Sequence, residues 1–246
     1  MPLLETHRLT RSFGRTVAVD HVDLAIADGQ LTAVIGPNGA GKTTLFDVIT
    51  GKLRPTTGRV TFQGEDITGF APHAIVSRGI ARSFQVTNVF PALTVADNLR
   101  VAVLGSRRSA GRRGWRGGRD GATAEVAPLL CALGLQPYAE LPCEALSHAD
   151  QRMVEIGLAL AGHPHLLLLD EPTAGMEAAE TLAMTHFIRN LAQREGLTVV
   201  LSEHDMQVVF ALAERVVVMH QGRIIADGAP AVVRDNPLVR AAYLGQ

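Results

Sequence analysis

Lysine is almost missing from these 246 residues: only Lys42 and Lys52 occur, and the other 21 basic residues are arginine. Aromatic residues make up 4%, too few for a surface on which bases stack. The formal net charge of −1 leaves no global electrostatic footprint for DNA or RNA, so no nucleic-acid partner is expected. Two cysteines, Cys131 and Cys143, make neither a disulfide framework nor a metal knot; they read as small buried side chains of a reducing compartment. No apolar run approaches the ~18 residues of a bilayer-spanning helix. Residues 1–12 carry Glu5, Arg8 and Arg11 among the apolar positions, unlike a secretory signal. Work at a membrane would be that of a peripheral subunit. With 47% hydrophobic residues, the chain has material for one large domain, or a domain with an inserted lobe.

One of the two lysines lies in the most informative stretch. Residues 36–44 read Gly-Pro-Asn-Gly-Ala-Gly-Lys-Thr-Thr, which fits the phosphate-cradling pattern G-x-x-x-x-G-K-[ST] at Gly36, Gly41, Lys42 and Thr43. Leu31–Ile35 before it has the composition of a short buried strand, and the residues after it read as a helix. A loop so placed aims free N–H groups and the positive end of a helix dipole at one spot. Gly36, Gly39 and Gly41 let the backbone approach a ligand and take positive φ. Lys42 is the candidate for the β/γ-phosphates and the Thr43 hydroxyl for Mg²⁺.

Around this stretch the pattern alternates between strand and helix. Residues 3–10 and 16–27 read as antiparallel strands, with Val17, Val19, Val22, Leu24 and Ile26 facing mostly one way. Strands are predicted at 59–63 and 80–84 and a short helix at 72–78, followed by helical periodicity from about 94 to 163. Strand signals return at 166–169, 198–201 and 215–220, and Gln221-Gly222 predicts a hairpin into 223–227. Six arginines from Arg107 to Arg119 crowd the segment 105–121, which reads as a mobile loop for want of apolar residues. The expected organisation is a nucleotide-binding core in two parts, 1–85 and 151–246, with a helical subdomain at 86–150.

A phosphate loop needs an acid for the metal and a group that handles water. Leu166 to Leu169 look like a central parallel strand buried on both faces. Asp170 and Glu171 follow at its carboxyl end, where such sheets bind ligands. Asp170 is the candidate metal acid, and Glu171 the candidate that polarises the attacking water. Gln85 and His204 follow predicted strands and can approach the same edge.

Together these elements resemble the ATP-binding cassette ATPases that power membrane transporters. The resemblance rests on Phe13, the loop 36–44, Gln85, Leu146-Ser147, the run Leu-Leu-Leu-Asp-Glu-Pro ending at Pro172, and Glu203-His204-Asp205, in that order. It implies an α/β fold: a P-loop NTPase (RecA-like) core, an N-terminal antiparallel β subdomain and an inserted helical subdomain. It implies ATP and Mg²⁺ as ligands. Phe13 and Val17 would lie at the adenine, and Gly36, Asn38, Gly39, Ala40, Gly41, Lys42, Thr43 and Thr44 at the phosphates. Thr43, Gln85 and Asp170 would serve the metal, with Gln85 also sensing membrane subunits. Glu171 would be the general base and His204 the contact to the γ-phosphate. Ser147 and Ala149 would face the γ-phosphate held by a second cassette, so that ATP is sandwiched between two chains. The family's usual Leu-Ser-Gly-Gly-Gln is Leu-Ser-His-Ala-Asp here, and this puts the strength of that composite site in question.

His148, the Ala174-Gly175-Met176 run, residues 81–85 and the ending Ala242-Tyr243-Leu244-Gly245 are similar to a branched-chain amino acid importer subgroup. The expected partners are a second ATPase chain, identical or different, two integral permeases and a periplasmic solute-binding protein, at the cytoplasmic face of the inner membrane. The competing readings are a lipopolysaccharide or lipid exporter ATPase, a soluble cassette ATPase and a P-loop kinase. A kinase reading accounts for 36–44 but not for 146–152 or 203–205. For the arginine segment, a solvated insertion and a contact with anionic lipid headgroups both stand.

Overall fold

Alternating side chains make the first two strands of the computed structural model, which describes residues 1–83, 89–109 and 118–244. β1 (Pro2–Phe13) and β2 (Thr16–Ala27) pair antiparallel, from Leu4 opposite Ile26 to Phe13 opposite Thr16. The alternation slips where Arg8 and His21 take φ of 44° and 50° and the register shifts, a bulge that re-aims the strand. Val19 before it and Val22, Leu24 and Ile26 after it are all buried. Val17, expected with them, is 45% exposed, because it stands near the hairpin tip beyond the end of that cluster.

β3 (Leu31–Ile35), buried at every position, runs through the loop 36–41 into α1 (Lys42–Ile49). The chain then returns to the first sheet with β4 (Thr57–Phe62) and β5 (Glu65–Asp66), giving the order β2-β1-β4-β5. α2 (Pro72–Val76), with proline in its first turn, leads to β6 (Ile80–Arg82). This strand was expected to reach Phe84, which lies outside the described residues.

The helical lobe comes next: α3 (Val95–Ser109), α4 (Gly118–Leu133) and α5 (His148–Leu160), packed around Val95, Leu99, Val126, Leu133 and Val154. Buried Asn98 fastens its entrance by donating to the carbonyls of Phe90, Leu93 and Thr94. Two expectations are corrected here. Residues 105–109 continue α3 and 118–121 open α4, so much of the expected loop is helix, in keeping with the good helix propensity of arginine; 110–117 lie outside the described residues. Cys131 is exposed on α4, facing away from the lobe core, whereas Cys143 is buried as expected, and both are free thiols.

β7 (Leu166–Asp170), α6 (Ala178–Glu195), β8 (Thr198–Ser202), α7 (Met206–Leu212), β9 (Arg215–His220) and β10 (Arg223–Gly228) complete the core, followed by α8 (Pro230–Arg234) and α9 (Pro237–Leu244). The second sheet has the order β10-β9-β3-β8-β7-β6, parallel except for the β9–β10 hairpin. Gln221 and Gly222 turn that hairpin with φ of 48° and 81°, the paired positive angles of a type I′ turn. One face of the sheet packs against the first sheet and α1; the other packs against α6 and α7. Hence the four successive leucines of β7, each 0% exposed and each stabilising by about 1.5–3 kcal/mol. The α/β core, antiparallel subdomain and helical lobe are the architecture expected from the sequence.

Candidate active site

The loop after β3 is shaped by what surrounds it. A Cβ on Gly36 would stand 2.1 Å from the Met219 carbonyl oxygen, and one on Gly41 2.2 Å from that of Ala18. Both glycines, with Gly39, have positive φ. Neighbouring strands therefore fix the loop from outside: Gly222 donates its N–H to the Ala40 carbonyl, and Asp20 donates to that of Gly222. From α9, Tyr243 comes near the Gly36 amide, and burial pushes its phenol up to about 12. Asn38 and Gly39 are exposed at the loop's crest, Ala40 is buried, and Thr43 and Thr44 stand exposed and half-buried in the first turn of α1. Lys42 folds back on the loop, donating from Nζ to the carbonyls of Gly36 at 2.5 Å and Pro37 at 3.2 Å. Burial pulls its ammonium down from the ordinary lysine range, and the charges of Glu171 and Asp170 act against that fall.

The structure thus brings Lys42, Asp170 and Glu171 to one edge of the sheet. Asp170 ends β7 with its side chain 2% exposed. Its Oδ1 accepts from Ser202 Oγ at 2.5 Å and its Oδ2 from Arg82 Nη2 at 2.8 Å. The other arm of Arg82 donates to Asp47 on α1 at 2.6 Å, so a buried arginine ties α1 to β7. Glu171 follows in a left-handed conformation, φ 48°, and its Oε1 lies 2.7 Å from His204 Nε2. An open cavity of about 210 Å³ lies beside this pair. Glu203, 3% exposed, accepts from the Thr173 amide and hydroxyl and from the His204 amide, which fixes both catalytic-edge loops to each other.

Phe13 is 45% exposed at the end of β1, with the Arg11 guanidinium 4.5 Å from its ring centre. Val17 stands across the hairpin, next to the Ala18 carbonyl that touches Gly41. The expected adenine side is therefore adjacent to the loop. Ser147 and Ala149 stand elsewhere, at the start of α5, where the His148 ring lies near Gly175. The Ser147 hydroxyl caps the helix: it accepts from the Asp150 amide and donates to the Asp150 carboxylate at 2.8 Å. Gln85 lies outside the described residues.

Sequence reasoning missed Arg82, Arg152, Ser202 and Tyr243. Ser202 carried a signal: it is the polar end of an apolar strand, in register with Asp170. Arg152 had a misleading one, because a pair with Glu155 three residues on reads as a solvated helix face, yet both are 3% exposed.

The donor set fits a nucleotide with its metal. Among the described residues no group of three or more His, Cys, Asp or Glu gathers as a self-sufficient metal cage. A hydroxyl and one carboxylate beside a phosphate cradle suit an ion that keeps water and binds phosphate oxygens, as Mg²⁺ does.

Comparison with known proteins agrees on the nucleotide. A family profile described as ABC transporter matches residues 19–174. One described as branched-chain amino acid ATP-binding cassette transporter matches residues 223–246. The high-affinity branched-chain amino acid transport ATP-binding protein BraF of Pseudomonas aeruginosa is 38% identical over 251 residues, covering 100% of this chain and 98% of that one. Its counterpart LivG of Escherichia coli K12 is 35% identical over 251 residues, with the same coverage. The crystal structure of a nucleotide-free ATP-binding cassette from an ABC transporter superposes with a TM-score of 0.89 at 30% identity, covering 100% of both chains. The chain belongs to the ABC transporter family, as one of its ATP-hydrolysing cassettes.

Proposed function

We propose that this chain hydrolyses ATP with Mg²⁺ to drive uptake of branched-chain amino acids through partner permeases. The observation that carries the reading is the meeting of Lys42, Asp170, Glu171 and His204 at the carboxyl edge of one parallel sheet. The C-terminal match to branched-chain amino acid cassettes supports the solute.

In the structure each charged group of the site already has an internal partner. Lys42 donates to its own loop, Asp170 accepts from Arg82 and Ser202, and Glu171 lies against His204. ATP binding exchanges these partners. Lys42 leaves the Gly36 and Pro37 carbonyls for the β/γ-phosphates, and the N–H groups around Gly39 to Thr44 cradle the rest. Thr43, Asp170 and Gln85 would hold the metal. Bound there, Mg²⁺ would supply positive charge to offset that of the phosphates. Glu171 takes a proton from water as it attacks the γ-phosphorus; the bond to the bridging oxygen breaks, leaving ADP and phosphate. His204 supports the γ-phosphate once Glu171 turns to water. Phe13 and Val17 receive the adenine.

A second cassette supplies its own Ser-containing helix start to this nucleotide, while Ser147 and Ala149 here face the partner's. Closure of the pair on ATP and reopening after hydrolysis drive the permeases. A periplasmic binding protein delivers the solute, and the cassettes sit at the cytoplasmic face of the membrane. Among the described residues no helix is long and apolar enough to cross a membrane. The test is co-purification with the permeases, followed by reconstitution in vesicles and measurement of ATPase activity against leucine, isoleucine and valine. Stimulation by these and not by urea supports the reading; ATPase activity indifferent to all of them overturns the solute assignment.

A further inference from the structure

The Glu171 backbone is held in a conformation that its sequence does not favour. It is a non-glycine residue at φ 48°, and it precedes Pro172, which biases the preceding residue toward extended backbone. Hydrogen bonds to its backbone keep it there. Its N–H donates to the Ser202 carbonyl at 3.0 Å and to Ser202 Oγ at 3.3 Å, and its carbonyl accepts from Ala174 N at 3.1 Å. Another comes from the helical lobe: Arg152 Nη2 donates to the carbonyls of both Asp170 and Glu171, each at 2.9 Å. The other arm of Arg152 binds Glu155 Oε2 at 2.7 Å, with side chains 4% and 3% exposed. A planar guanidinium fixed at one end by a carboxylate can present the other end in one orientation only.

We infer that Arg152 is a positioning residue for hydrolysis: it clamps the main chain of the general base, so that the helix beginning at Ser147 and the carboxylate that activates water move as one unit. The inference rests on the assignment of Glu171 as general base. α5 packs on α3 and α4 and ends its arginine on β7, so a shift of the lobe relative to the core pulls on two carbonyls at the catalytic edge. The left-handed turn at Glu171 makes that pull consequential. Released from Arg152, the residue can relax toward extended backbone, which swings its carboxylate off the line of attack. Arg152 itself touches no reacting atom. Removing it should leave nucleotide binding alone and slow the chemical step.

The test uses the full chain and three variants. Arg152→Met combined with Glu155→Leu removes both buried charges together, which avoids stranding one of them. Arg152→Lys keeps a donor for the carbonyls. Glu171→Gln is the reference. The affinity for a fluorescent ATP analogue with Mg²⁺ and the single-turnover hydrolysis rate are measured for each. The expected result for the double variant is affinity within about twofold of wild type and hydrolysis slowed by at least about tenfold, the scale of a misplaced catalytic group. Arg152→Lys should recover part of the rate. Hydrolysis by the double variant within twofold of wild type overturns the inference, as does a loss of affinity in proportion to rate. If Glu171→Gln hydrolyses normally, the base assignment fails instead, and the two failures are told apart.

Discussion

The phosphate loop and the start of α5 are both helix N-termini, yet they are finished in opposite ways. At the loop, carbonyls of Ala18 and Met219 crowd the space where Cβ atoms would go, and Gly41, the N-cap of α1, offers no side chain to the first N–H groups. Those donors are left for a ligand. At α5, Ser147 caps the helix, and Asp150 closes back on the Ser147 hydroxyl. There one donor, the Asp150 N–H, is already served, a carboxylate stands in the first turn, and Ala149 adds a methyl group. One terminus has no side-chain cap; the other is capped by its own serine. On the proposed reading, a nucleotide on this chain's own loop and one facing its α5 meet unequal surroundings.

The comparison can be broken from either side. Its largest test is Glu171→Gln: loss of a general base should slow single-turnover hydrolysis by ~10²–10⁴-fold while ATP is still retained, read by rapid quench. Lys42→Ala should weaken binding by roughly 10- to 150-fold, the worth of a charge-assisted hydrogen bond to phosphate, read by nucleotide titration; unchanged retention would remove the loop from the site. Gly36→Ala forces a methyl group onto the Met219 carbonyl and should destabilise the fold by about 1–3 kcal/mol, visible as a lower Tm. Ala149→Gly should speed turnover at the composite site by less than about tenfold, the worth of one improved hydrogen bond; an identical rate would mean that the two termini are equivalent in use. The smallest effect is one of pH. Hydrogen bonds from Arg78 hold the exposed Glu65 carboxyl below the usual carboxylate range. Its contribution is complete above the unfolded-state value and is lost as pH falls through the folded one. Glu65→Gln should therefore trim stability at neutral pH slightly and leave acid unfolding less steep, as followed by circular dichroism.

What was legible in the sequence is what lies in one contiguous stretch. Residues 36–44 carry their chemistry side by side, and Asp170-Glu171 follow an unbroken apolar strand, so position along the chain already implied position in space. Arg82 and Arg152 were silent because their meaning depends on neighbours distant in sequence. Arg82 meets Asp170 only because β6 lies parallel to β7, with Arg82 opposite Leu168. Arg152 meets the same strand only because α5 crosses its end. Charged residues read as surface until the fold supplies a buried counter-charge, and no local pattern announces that. The bulge at His21 was hidden for a similar reason, since a slip in alternation shows only once the opposite strand is in place.

The hairpin of β9 and β10 gives the loop its outer wall: the Met219 carbonyl lies against Gly36, and Gly222 holds Ala40. These residues leave the ribosome some 180 positions after the loop they brace. A nascent chain thus carries the nucleotide motif early but lacks its finished cradle until this hairpin has been made, which ties the grip on ATP to a chain that has grown past Gly222.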